Sequence, residues 1–176
     1  NGASTGYKIY NNSINMNTDQ TIATGMTAAI NVTSSITAAG AIDLRNNILV
    51  NSQTTTVNRY AIYSSAPATV FSNIDYNDYY SSGTNLGYLG SARATLANWQ
   101  TATGKDLNSK NVNPSFISPT DLHMSSTNLA ADFLGTPLAE VTVDIDNDAR
   151  SDTTQDMGAD EFTIALSING ANKNNI

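Results

Sequence analysis

The chain has 176 residues, of which 40% are apolar and 13% charged, and it carries a net charge of −7. Nucleic acids and anionic membranes require clustered Lys and Arg, which this balance does not supply, so neither is expected as a partner. With no cysteine, disulfides, thiolate nucleophiles and cysteine metal sites are excluded.

Asn, Ser and Thr (23, 18 and 22 residues) make up 63 of the 176. Their side chains compete with helical hydrogen bonding and favour turns, so many short strands between polar turns are expected, an all-β class. Within the first ninety residues, Tyr7–Ile14 resembles Ala41–Ile48, and the pattern returns weakly over Val70–Ile74. Each copy alternates apolar positions, then places Asn, then an apolar residue. The Asn steps are 35 residues from Asn12 to Asn47 and 26 from Asn47 to Asn73, and a strand-like segment, Ala29–Thr33, lies inside the first gap. Two turns of about twenty residues could share that gap. Period two in stretches such as residues 54–65 argues against a helical solenoid. Stacked units that bury a shared apolar face, with turn Asn residues forming amide ladders, predict a parallel β-helix of about three to four coils. A β-sandwich is the plainer alternative.

After residue 90 the pattern changes. Thr95 as N-cap, Leu96 and Trp99 on one face and Gly104 as stop predict one short helix, with Trp99 plugging the end of the apolar column. Asp121–Met124 alternates like a strand, and Asn128–Leu134 reads as one helical turn. The expected organisation is coils over 1–90, a C-terminal cap over 91–162 and the start of a linker over 163–176. Asn1 opens the sequence without an initiator Met, a signal-peptide pattern or a membrane-spanning run, as expected of part of something longer.

Residues 141–162 concentrate seven of the fifteen carboxylates around one base, Arg150. Such crowding needs a cation, an arginine or backbone N–H groups at its centre. One reading is a calcium loop with Asp144, Asp146 and Asp148 as ligands, although Ala149 and Gln155 stand where an EF-hand wants Gly and Glu. The other is a structural clasp in which Asp144 or Asp156 pairs with Arg150. His123 reads as structural, and Asp43 with Arg45 as a surface ion pair. The stretch holding Tyr76, Tyr79 and Tyr80 could stack against and hydrogen-bond sugar rings.

The ordered blocks Trp99…Thr103-Gly104-Lys-Asp106…Ser109, Asn113-Pro-Ser-Phe116, Asp121-Leu-His-Met124, Val143–Arg150 and Asp156–Glu161 resemble a particular protein end. They are similar to the C-terminal region of right-handed parallel β-helix proteins of the pectate-lyase-like superfamily, and more closely to large secreted surface proteins of bacteria. The resemblance is close over residues 95–162 and one of style before them. The chain departs from the pattern at Asn147, where Gly is usual; Asn tolerates the left-handed turn required there. The family mixes lyases, glycosidases and adhesins, so the resemblance specifies fold better than function.

What it implies is an extracellular or cell-surface module at the end of a longer protein, with other domains of that protein and a polysaccharide or cell-surface glycan as partners. The expected role is non-catalytic adhesion or carbohydrate contact, with no catalytic residue assigned. A polysaccharide lyase or glycosidase whose catalytic coils lie mostly upstream is the alternative, with Arg45 as the candidate base, and a structural spacer is a further one. Asp152-Thr153-Thr154 matches an O-glycosylation pattern of the same bacteria, which implies a glycan on Thr153.

Overall fold

The computed structural model describes residues 4–22, 24–55 and 57–162. The chain lays down strands in groups of three: β1 (Tyr7–Tyr10), β2 (Ser13–Met16) and β3 (Met26–Val32), then β4 (Ile42–Arg45), β5 (Ile48–Asn51) and β6 (Asn58–Ser64), then β7 (Phe71–Asp75), β8 (Asp78–Ser81) and β9 (Gly87–Leu89). Each pairs in parallel with the strand three places later, so the sheets are β1-β4-β7, β2-β5-β8 and β3-β6-β9. A short strand, β10 (Ser91–Arg93), adds an antiparallel edge to the third sheet. One α-helix, α1 (Leu96–Thr103), follows. The architecture is mostly parallel β with one short helix, compatible with a β-helix. Among the described residues no helix is long and apolar enough to cross a membrane.

Two residues connect the first and second strand of every group: Asn11-Asn12, Asn46-Asn47 and Tyr76-Asn77. The first of each pair is left-handed, with φ of 49°, 58° and 54°, a conformation Asn tolerates and Tyr adopts only under constraint. The second builds a ladder. Asn47 Oδ1 accepts the backbone N–H and the side-chain amide of Asn12 (3.1 and 2.9 Å), and Asn77 Oδ1 accepts the same two donors from Asn47 (3.0 and 2.9 Å). Ser109 Oγ ends it by accepting the Asn77 N–H at 2.8 Å.

The ladder corrects the expected repeat. The Asn47 partner is Asn77, 30 residues on, and not Asn73, which sits mid-strand in β7. Tyr76 in place of a second Asn conceals the doublet. The segment around Ala29 is β3, on the third sheet, so the first gap holds one group of three strands and not two shorter turns.

The interior column is built from Leu44, Leu49, Ile62, Phe71, Ile74 and their neighbours. Tyr7, Ile9, Ile14 and Ile30 of the first group pack against it only partly buried. At the third-group end, α1 inserts Trp99, fully buried, as the sequence predicts. Thr95 Oγ1 caps the helix by accepting the Asn98 N–H at 3.2 Å, and Gly104 closes it in the left-handed region.

Residues 112–162 do not seal the mouth of this column. They lie along the outer face of the second sheet, where Ile48, Val50, Met124, Phe133 and Met157 form a second core. All four residues of β5 are therefore buried: Leu49 points into the column and Ile48 and Val50 into the second core. Asp121–Met124 is not a strand. It forms one arm of a tight turn joined to Phe116 by a single antiparallel bridge. Ala130–Asp132 is a short 3-10 turn within the predicted helical segment.

Candidate functional site

The three tyrosines expected to form one sugar-binding surface do not share a face. Adjacent residues of a strand point to opposite sides, and β8 carries two of them. Tyr79 is fully buried in the column, its hydroxyl donating to Asp106 Oδ2 at 2.7 Å beside the Trp99 Nε1 donor at 2.6 Å. Ser109 donates to the other oxygen of Asp106. Burial raises the Asp106 pKa, and these three donors oppose that rise. Tyr76 and Tyr80 are half-buried against the second core. Burial of Tyr79 thus removes it from any ligand surface.

An aromatic group that no sequence motif marks lies on the third sheet. Tyr63 of β6 and Tyr88 of β9 stack at 4.4 Å and 11°, with Tyr60 tilted against Tyr63 at 5.5 Å. They are paired in register across the third sheet. Their separation of 25 residues matches neither ladder step, 35 or 30, so the repeat does not mark this pairing.

The acidic stretch is a clasp around Arg150, whose side chain is 1% exposed. Its guanidinium donates to the carbonyls of Asp156 (3.2 Å), Gly158 (2.8 Å) and Ala159 (2.9 Å) and to Glu161 Oε2 (3.0 Å). The carboxylate partner is Glu161, not Asp144 or Asp156 as expected. Glu161 also accepts the backbone N–H groups of Ser151 and Asp156. Asp156 gives Arg150 only its backbone carbonyl. Burial, with the Glu161 charge second, pushes the Asp156 carboxyl up to about 7.

Asp144 caps the loop. Its Oδ1 accepts the N–H groups of Asp146 and Asp148 at 2.9 Å each, and its Oδ2 accepts that of Glu161 at 3.0 Å. These bonds, partly offset by burial, lower its pKa. Asn147, left-handed at φ 68°, makes the turn as its sequence position predicts. Asp146 Oδ2 faces His123 Nε2 at 3.0 Å, and Asp121 holds Nδ1 of the same ring. The three aspartates therefore do not converge, and among the described residues no group of three or more acidic or histidine side chains is placed to hold a metal.

Gly158 joins the clasp to the sheets. Its φ of 89° and the space around it exclude a side chain, since a Cβ would meet Ser13 Oγ at 2.6 Å and Ile48 Cδ1 at 2.8 Å. Its N–H donates to Asn46 O at 2.8 Å, and Asn11 Nδ2 donates to Asp156 O at 3.0 Å.

Arg45 is held by Asp43 in a bidentate pair with both contacts at 2.7 Å, and it lies 5.1 Å from the Tyr10 ring centre. Hydrogen bonding to Asp43 raises its pKa further, so it holds its proton more tightly than a general base should. Thr153 is exposed, its hydroxyl 3.2 Å from that of Ser151. No family model, curated protein or solved structure matches this chain.

Proposed function

We propose that the chain is the end of a right-handed parallel β-helix in a secreted or cell-surface protein, and that it contacts carbohydrate without cleaving it. The observation that carries this reading is the parallel stack itself. Three sheets locked in register by the Asn12–Asn47–Asn77 ladder hold outward polar side chains at fixed spacing. In a chain only 13% charged those side chains are largely amides and hydroxyls, the groups that pair with sugar hydroxyls. Arg45, the base that a lyase reading requires, is engaged by Asp43.

Contact with other parts of a longer protein belongs at the β1–β2–β3 end. There Tyr7, Ile9, Ile30, Val32 and Ile36 surround a cavity of about 460 Å³. A hexose on Thr153 would add its mass to a native preparation, and an intact mass equal to the sequence mass removes that modification.

The test is a glycan array run with the whole chain, beside a release assay on acidic polysaccharides. Glycan binding without release of unsaturated or reducing ends is expected. Release that disappears in Arg45→Ala would establish the lyase instead, and binding to no glycan would leave the spacer.

A further inference from the structure

Tyr63 and Tyr88 occupy one row across the outer face of the third sheet, with Asn31 of β3 before them and Ala92 of β10 after. Tyr63 covers one face of the Tyr88 ring, at 4.4 Å. The next residue in the row beyond Tyr88 is Ala92, exposed on the edge strand and too small to cover the other face. Tyr60 closes the group from the side, edge-on to Tyr88 at 6.1 Å. Ala61 and Ile62, adjacent in β6, both pack into the column, and Tyr60 and Tyr63 flank them.

The Tyr88 hydroxyl donates to Gly90 O at 3.2 Å. Those of Tyr60 and Tyr63 have no partner among the described residues. The row therefore offers an aromatic face, a shelf of methyl size beside it, the Tyr63 phenol able to donate or accept, and no charged side chain.

We propose that this row is a sugar-binding shelf. A neutral pyranose lies on the free face of Tyr88 above Ala92, and an adjoining unit bonds the hydroxyl of Tyr63, while the buried Tyr60 backs the two rings. The class follows from the chemistry. A pyranose with equatorial hydroxyls presents a flat face of C–H groups to the ring and its hydroxyls to the rim. An acidic sugar would find no cation in the row. The proposal rests on the carbohydrate-contact reading and names its site and ligand class.

Titration of the whole chain with cellohexaose, a neutral oligosaccharide of this kind, tests it by calorimetry. Saturable binding is expected. Tyr88→Ala should weaken it about tenfold or more, the loss of one stacking contact. Ala92→Leu, which fills the shelf and removes no ring, should weaken it comparably while the circular dichroism spectrum stays unchanged. Binding indifferent to both substitutions overturns the site. Silence toward cellohexaose while the array finds other glycans overturns the ligand class and leaves the general reading standing. Silence toward every glycan overturns both.

Discussion

The stack of sheets and the segment wrapped along its second face solve one problem by opposite means. In the stack, backbone N–H and C=O groups pair strand to strand, and side chains are left to fill the column. Over residues 133–161 there are isolated bridges and turns but no strand or α-helix. Backbone carbonyls there meet a buried guanidinium, and backbone N–H groups meet Asp144 and Glu161. The difference teaches where each region is fragile. The stack distributes its stability over many equivalent rungs, while the clasp concentrates it in one side chain.

The largest effect should follow from removing that side chain. Arg150→Ala leaves Glu161 uncompensated and three carbonyls without their donor, a loss of about 3–5 kcal/mol. Hydrogen exchange locates the loss. The amides of Asp156, Met157 and Gly158 should exchange freely while those of Leu49 and Ile62 stay protected. Protection lost equally in both regions would show that they unfold as one unit and would end the contrast.

Acidity separates the regions next. Asp78, 0% exposed, lies on β8 opposite Ile48 under the wrapped segment. One of its oxygens accepts the Val112 N–H at 2.9 Å and the other is buried without a partner. Burial, with the Asp132 charge adding to it, pushes this carboxyl from 3.8 to about 7. The unfolded chain releases the proton near pH 4 and the folded chain near pH 7, so folding takes up protons between those values. Stability should fall as pH rises through that window and level off above it, by roughly 4 kcal/mol at most for Asp78. Asp156, also raised to about 7, acts in the same direction. Asp43 and Asp144, whose pKa values are lowered, contribute stability that is lost as pH falls below about 4. Urea melts between pH 4 and 8 should show this slope, and Asp78→Asn, which keeps the acceptor for Val112, should make it shallower, leaving the share of Asp156. An unchanged slope in that variant would mean Asp78 is ionised in the folded chain.

Within the stack, position along the ladder should decide the cost. Asn47 is fully buried, and its side chain and backbone N–H take part in six hydrogen bonds spanning all three groups. Asn47→Ala should cost about 2–3 kcal/mol, because the donors and acceptors left behind are shielded from water. Asn12, exposed at the open end, should cost about 0.5–1 kcal/mol. Equal melting shifts for the two variants would show that the ladder does not act through burial.

Features that depend on local spacing were legible in the sequence. Asn12 and Asn47 announce the ladder, and Thr95, Trp99 and Gly104 announce the capped helix. Asn77 was hidden because the left-handed position before it is filled by Tyr76. Tyr79 and Tyr80 read as one surface in the sequence, because only a placed strand shows that they point to opposite faces. Glu161 does not stand out as the partner of Arg150, because the turn at Gly158 returns the chain to it only in three dimensions. The second core is equally non-local, since Ile48 and Met157 are distant in sequence and meet through the Gly158 approach. Spacing reveals rungs, whereas the side that a later segment covers depends on which outward faces remain apolar.

The smallest expected effect concerns the carboxylates that suggested calcium. A metal loop would need the oxygens of Asp144, Asp146 and Asp148 turned to one point. Asp144 instead spends both oxygens on three backbone N–H groups, and Asp146 faces His123. Binding calcium would require breaking those bonds and would leave the N–H groups of the loop without acceptors. EDTA, or millimolar calcium in its place, should therefore move the melting temperature by less than about 1 °C, well under the shift that 1 kcal/mol of binding would produce. A rise of several degrees with calcium would mean that the loop reorganises around a cation. Arg150 would then share with a metal the work of holding this segment, and the contrast between distributed and concentrated stability would lose its sharpest term.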